Sequence, residues 1–198
     1  MSLDASGTIG KSITFSKWKG RNYIRKRVKP ANPKSGLQTG MRAGMRFMAQ
    51  GYATLTATQK LNWTGLFKTL KITGLNSQAR LNQVRVRQNL GLFSDPTNVP
   101  AAAEAAPTTV VATAQPKSVK LTWVDSLGAN DYATFIYQST TTGFTPDVSN
   151  LIRIVKHGAL TFTVAKLKTG TPYFFVLQGT GNEGTRGTAA AQVTATPT

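Results

Sequence analysis

The chain has 198 residues, 40% of them hydrophobic, no cysteine and a formal net charge of +17. This is too apolar for a disordered polymer, and it excludes disulfide frameworks and thiolate chemistry. No apolar run reaches the ~18 residues a membrane-spanning helix needs. The charge is uneven: residues 1–99 carry 17 of the 24 Lys/Arg against Asp4 and Asp95, whereas residues 100–198 carry seven against five acids. A cationic half of this kind repels itself unless something anionic lies beside it, so the sequence reads as an anchoring module joined to a display module. The opening residues have no basic flank before an apolar stretch, which predicts no secretory signal.

The first predicted element is a hairpin: Ser12–Trp18, a Lys19-Gly20 turn, then Arg21–Val28. Ile13, Phe15 and Trp18 are its apolar residues. Trp18 comes one residue late for strict alternation, which predicts a bulge or register shift near the turn. Six of the eleven residues from Lys17 to Arg27 are basic. Such a ribbon is either a surface hairpin whose cations discourage edge pairing or a contact surface for phosphates or an acidic protein. Trp18 and Tyr23 are core aromatics in the first case and contact aromatics in the second. The candidate anchoring or nucleic-acid-contact residues here are Lys17, Trp18, Lys19, Arg21, Arg25, Lys26, Arg27 and Lys29.

Beyond Pro30 and Pro33 the period becomes helical. Leu37, Met41, Met45 and Met48 predict the apolar face of a helix over Leu37–Tyr52, with Arg42 and Arg46 on another face. Its glycines, at spacing four, predict close packing against a partner. Thr56 and Gln59 form a capping-box pattern that starts a second helix carrying Leu61, Trp63, Leu66, Phe67 and Leu70. A third helix is expected from near Asn76 to Leu90, with Leu81, Val84, Val86 and Leu90 beside Arg80, Arg85 and Arg87, and with Gly91 as its C-cap. Arg42, Arg46, Arg85 and Arg87 complete the candidate contact set. No zinc-ligand spacing, KH-type GXXG loop or RNP-like strand pair accompanies these cations, so charge alone supports non-specific phosphate contact. About 90 residues of this kind fold alone only marginally, which predicts packing against other subunits.

Three prolines bracket small residues between Phe93 and Pro107, a composition that predicts a semi-rigid spacer. The expected division is a basic module over 1–93, a linker over 94–106 and a third segment over 107–198. That last segment holds short strands at regular spacing: Thr109–Ala114, Ser118–Val124, Tyr132–Gln138, Leu151–Lys156, Leu160–Ala165, Tyr173–Gly179 and Ala189–Ala195. Seven strands in about 90 residues predict an immunoglobulin-like sandwich. Val119, Leu121 and Trp123 alternate inward, as do Phe162 and Val164. The predicted fold class is an α+β basic module, a hairpin plus two or three helices, followed by an all-β sandwich.

The segment Ser118-Val119-Lys120-Leu121-Thr122-Trp123, with Pro107-Thr108 before it and Leu167-Lys168-Thr169-Gly170-Thr171-Pro172-Tyr173-Phe174-Phe175-Val176 after it, resembles a fibronectin type III domain. The resemblance implies a buried core of Trp123, Leu121, Phe162 and Tyr173. It also implies a corner in which Tyr173 ties down the loop after Leu167, and an FG loop over 179–187, which lacks an Arg-Gly-Asp sequence. The segments Phe15-Ser16-Lys17-Trp18-Lys19-Gly20-Arg21-Asn22-Tyr23-Ile24-Arg25, Asn32-Pro33-Lys34 and Leu55–Trp63 resemble short cationic proteins of tailed-phage structural regions. This second resemblance implies a virion structural protein in a head, neck or tail, anchored by its basic half, with the sandwich displayed for decoration or weak surface attachment. The implied partners are other virion proteins or further copies of the chain, then packaged nucleic acid, then host or environmental glycans, and no membrane. The alternative is a DNA- or RNA-binding accessory protein using non-specific phosphate contacts.

No enzyme, metal or cofactor is expected. His157, the sole histidine, precedes Gly158 in a predicted turn, and the chain has only seven acids. Asp125, Asp131 and Asp147 fall in loops, but their spacing matches no calcium-loop motif. There is no serine elbow and no phosphate-cradling glycine loop.

Overall fold

The computed structural model describes residues 7–10, 12–28, 32–99, 105–125 and 131–198. The chain forms two compact units, Met1–Pro33 and Lys34–Thr198. Division at Pro33 differs from the boundary expected over 94–106, because the helices share a core with the strands that follow them.

The first unit is a three-stranded antiparallel sheet, β1 (Gly7–Ile9), β2 (Ile13–Trp18) and β3 (Arg21–Lys26), in that spatial order. Lys19 (φ 47°) and Gly20 (φ 79°) are both left-handed, the signature of a type I′ turn, whose twist suits a two-residue hairpin. Pairing runs unbroken from Ile13–Lys26 to Trp18–Arg21. The expected bulge is therefore absent. Trp18 belongs to the register set of Thr14 and Ser16, and Ile13 and Phe15 to the other.

The second unit opens with α1 (Gly36–Tyr52), α2 (Ala57–Leu66) and α3 (Gly74–Arg87). Ser35 caps α1 by accepting from the Gln38 N–H. Thr56 and Gln59 make the expected reciprocal capping box. At the end of α3 the left-handed residue is Asn89 (φ 61°). Its N–H donates to Val86 O at 3.1 Å and the Leu90 N–H donates to Arg85 O at 2.8 Å, a Schellman arrangement. Asn89, not Gly91, thus terminates this helix.

Eight strands follow. β4 (Thr108–Gln115), β5 (Ser118–Val124) and β8 (Thr161–Ala165) form one sheet in the order β4-β5-β8. β6 (Asp131–Ser139), β7 (Leu151–Lys156), β9 (Tyr173–Gly181) and β10 (Arg186–Ala189) form the other in the order β10-β9-β6-β7, and β11 (Val193–Ala195) also pairs with β9. The strand expected over Ala189–Ala195 is split in two. Ala189 pairs with Gln178 and Val193 with Phe175, so four residue steps face three and the ladder cannot run through. The order and antiparallel pairing make an α+β module followed by a fibronectin type III or immunoglobulin-like sandwich.

The larger sheet is buried on both faces. Ile136, Phe175 and Leu177 meet Val119, Leu121, Trp123 and Val164 between the two sheets. On the opposite face Phe135, Tyr137, Leu151, Ile154 and Val176 meet Phe47, Met48, Val86 and Leu92 of the helical segment. The expected apolar face of α1 is corrected by this packing. Leu37 (45% exposed) and Met45 (46%) lie outward, and the buried face is Gly40, Ala43, Gly44, Phe47 and Met48. Gly36 and Gly40 sit against the backbone of Ser149 and Val148, so close that a Cβ on either would fall inside a carbonyl oxygen. Of the glycines expected at spacing four, Gly40 packs on the chain's own 3-10 turn Val148–Asn150 and Gly44 on Val86 of α3.

Candidate anchoring surfaces

In the ribbon the register sorts residues onto two faces. Ile9 pairs with Ile13, Gly7 with Phe15, and Phe15 with Ile24, so Ile9, Ile13, Phe15 and Ile24 form one apolar face. Lys26 and Lys17 occupy its two ends, opposite Ile13 and Asn22. The other face carries Thr14, Ser16, Arg21, Tyr23 and Arg25. None of the ribbon residues whose side chains are described is buried, and Ile9 (66%) and Ile24 (65%) are among the most exposed apolar residues. The cations of this unit are eight Lys/Arg against one acid, Asp4.

The predicted contact residues therefore separate. Lys17, Lys19, Arg21, Arg25, Lys26 and Arg27 are exposed on the ribbon. Trp18 is placed by its backbone alone, and Lys29 lies outside the described residues. Arg42 and Arg46 are exposed one turn apart on α1, and Arg87 is exposed at the end of α3. Arg85 is different in kind. Its guanidinium donates to the carbonyls of Gly91 and Gly184 and lies 4.2 Å from the centre of the Phe93 ring. Partial burial lowers its pKa from the ordinary arginine value. It is a structural tie and not a contact residue.

That tie is part of a joint which sequence reasoning missed. Asn82 donates to Phe93 O and accepts from the Phe93 N–H, both at 3.0 Å, so one side chain imitates a β-bridge. The Trp63 indole donates to Ser94 O at 2.9 Å. Asn62 and Thr97 both donate to the Asp95 carboxylate. Ser94 and Asn98 donate to Asn182 O, and the Leu92 N–H donates to Thr180 Oγ1 at 3.2 Å. Gly91 is needed here for close approach: a Cβ would stand 2.6 Å from Gly184 O. The segment expected as a spacer is thus fastened along 91–98 between α2, α3 and the β9–β10 loop. Residues 100–104 of that expected spacer lie outside the described residues.

Within the sandwich, Leu121 and Trp123 are fully buried, while Phe162 and Tyr173 are half-buried. Both half-buried rings pack against the inter-sheet core from its margin. Tyr173 makes the implied corner, its Oη accepting from the Lys168 N–H at 3.1 Å. Asp125, just after β5, is buried. It accepts from the Trp123 indole (2.8 Å), the Thr134 hydroxyl (3.3 Å) and the Gly158 N–H (2.8 Å), and His157 Nδ1 stands 3.1 Å away. Asp147 accepts from Ser149. Among the described residues no three His, Asp or Glu side chains gather as a metal site, and none forms a catalytic cluster.

No protein-family model matches the chain, and no curated protein matches it. Solved structures match its C-terminal half. A β-1,2-glucanase from Parabacteroides distasonis is 16% identical over 54% of this chain and 14% of its own, with a TM-score of 0.43. The chicken CNTN1 FN1–FN3 domains are 15% identical over 49% of this chain and 33% of theirs, TM-score 0.42. An Fn3-like protein from Clostridium thermocellum is 24% identical over 49% of this chain and 96% of its own, TM-score 0.40. The chain spans a third or less of the first two. At these identities the likeness concerns fold alone, and the strand order described above carries it: the C-terminal half is a sandwich resembling fibronectin type III scaffold domains.

Proposed function

We propose that this protein is a non-enzymatic structural component of a tailed-phage particle, anchored through its N-terminal ribbon, with the helix-backed sandwich as the displayed body. One observation carries the anchoring role: a ribbon in a unit of about 33 residues has an apolar face with cations at its ends, and none of its described side chains is buried. Units under ~40 residues without disulfide or metal usually need a partner surface. Ile9, Ile13, Phe15 and Ile24 call for a partner with an apolar centre, and Lys17 and Lys26 call for acids at its rim. Those features suit an acidic protein shell better than a nucleic-acid backbone, which offers no apolar counterpart. The phage setting is supported by the sequence resemblance of Phe15–Arg25 and its neighbours.

The test is incorporation of the full chain into particles, followed by mass spectrometry of purified virions. Wild-type chain should be recovered with the particles, and Ile13→Asp/Ile24→Asp should be lost from them. Absence of wild-type chain from purified particles sinks the proposal. Duplex-DNA binding that is unaffected by Ile13→Asp/Ile24→Asp, abolished by Arg21→Glu/Arg25→Glu, and weakened roughly 10³–10⁵-fold between 50 and 200 mM salt would instead establish the accessory nucleic-acid reading.

A further inference from the structure

β3 is an outer strand of the ribbon: among the described residues no strand pairs with it on the side away from β2. The pairing register fixes which of its backbone groups face that side. A two-residue turn closes on a hydrogen-bonded pair, here Trp18–Arg21, and such pairs recur at every second residue of an antiparallel ladder. Tyr23 and Arg25 are therefore bonded to β2, and the 2.7 Å bond from the Arg27 N–H to Ser12 O continues the series. The N–H and C=O groups of Ile24 and Lys26 turn outward. The edge runs straight, without proline or bulge, from Arg21 to Lys26. What guards it against chance pairing is charge: Arg21, Arg25 and Lys26 are all exposed. Ile24, 65% exposed, stands between them on the apolar face.

We propose that β3 is the template for one strand of an acidic partner protein, which joins the ribbon edge to edge as a fourth antiparallel strand. This rests on the anchoring role given to the ribbon above and supplies its mode. The backbone of Ile24 and Lys26 provides the hydrogen bonds, and the side chains choose the partner. A residue opposite Ile24 falls on the same face as Ile13 and Phe15, so it must be apolar to extend that face. Residues opposite Arg21, Arg25 and Lys26 must be acidic, since like charges directly opposite repel. Along the partner, from the residue facing Lys26 to the one facing Arg21, the order is acid, acid, apolar, two uncharged polar residues, acid. Charge rules out a second copy of this chain. Two β3 strands side by side would set Arg21, Arg25 and Lys26 against their own kind, and no six-residue stretch of the sequence holds two acids. The same cations that reject an ordinary strand thus admit an acidic one.

The experiment uses the full chain, isotope-labelled, with the blocked peptide Glu-Glu-Val-Thr-Thr-Glu as probe. Saturable amide shifts on β3 are expected, with hydrogen exchange slowed about fivefold or more at Ile24 and Lys26, the amides that gain acceptors. Methylating the backbone nitrogen of the peptide's Val removes its bond to Ile24 O and should weaken binding about fivefold or more, whereas the same methyl on the next Thr faces away and should not. Moving the Val one place, as in Glu-Val-Glu-Thr-Thr-Glu, puts it on the wrong face and should weaken binding about as much. Lys26→Pro should bind about fivefold more weakly than Lys26→Gln, because both lack the cation and proline alone lacks the outward N–H. Should Lys26→Pro not fold, the two methylated peptides still decide the matter. The proposal is overturned by no binding at millimolar peptide, by shifts without slowed exchange at Ile24 and Lys26, or by equal affinity for the two methylated peptides. It is also overturned by duplex DNA slowing the same two amides. Particles that lose Ile13→Asp/Ile24→Asp yet retain Lys26→Pro as fully as Lys26→Gln would overturn the edge and leave the anchoring role standing. Peptide capture with these signatures by a chain absent from purified particles would uphold the edge and remove the phage setting.

Discussion

Replacing Gly40 by alanine adds one methyl group, and that methyl should strain the seat of α1 on the sandwich. In isolation the change favours a helix by about 1 kcal/mol. Here the new Cβ would enter the Val148 carbonyl oxygen, stand 2.9 Å from Val148 Cγ2 and 3.1 Å from Val148 C, against a comfortable carbon–carbon separation of about 3.5–4.0 Å. Val148 is in a 3-10 turn whose Asp147 cap and Asn150 bonds fix its backbone, so the helix must move instead. That shift strains Ala43, Phe47 and Met48 in the shared core, and overpacking typically costs 1–3 kcal/mol. The expected net loss is up to about 2 kcal/mol after the propensity gain, read as a lower denaturant midpoint at unchanged slope. Gly65→Ala in α2 is the matched control, since nothing lies within 4 Å of its Cβ, and it should gain up to about 1 kcal/mol. Because the clash is with backbone, Val148→Ala should not rescue Gly40→Ala. A stabilised Gly40→Ala, or full rescue by Val148→Ala in a double-mutant cycle, would refute this account.

Three further outcomes follow from the same structure. Arg85→Met removes two carbonyl ties and a ring contact and should cost about 2 kcal/mol, with faster amide exchange across residues 182–185 as the specific sign. Asp125→Ala orphans the buried Trp123 indole and the Gly158 N–H and should cost on the order of 3 kcal/mol in chemical denaturation. The Tyr132 hydroxyl is raised to about 12 by burial, so its stabilising contribution is fully present below the unfolded value of 10 and is lost as pH rises through about 12. The difference in phenolate absorbance between wild type and Tyr132→Phe should therefore appear only near the top of that window, and a midpoint near 10 would contradict the burial.

Local signals in this sequence translate well into local structure. The Thr56–Gln59 capping box, the Lys19-Gly20 turn and the limits of Ser118–Val124 and Leu151–Lys156 are all legible because each depends on a few adjacent residues. The apolar face of α1 was not legible, because glycine carries no hydropathy signal and close backbone approach outweighed the methionines. The docking of helices onto the sandwich did leave a trace: Phe174-Phe175-Val176-Leu177 in β9 is apolar without alternation, as a strand covered on both faces should be. The β9–β10 loop could not be read as occupied, since its partners Arg85, Ser94 and Asn98 are polar residues distant in sequence. The ribbon cations were legible as a group, but only the pairing register sorts them from the apolar face.

The core shared by α1 and the strands has a consequence for how the chain is made. Phe47 must wait for Ile154 of β7, the strand on which α1 packs, 107 residues later. At a synthesis rate of about 5–20 residues per second the wait is roughly 5–21 s. Throughout it the helices have no permanent cover for Phe47, Met48 and Val86. The sandwich strands β4 and β5 can meet soon after leaving the ribosome, but β6 has no β9 until the end. The protein should therefore mature late and all at once, with its N-terminal helices the segment most dependent on chaperones and most open to proteases while synthesis is under way.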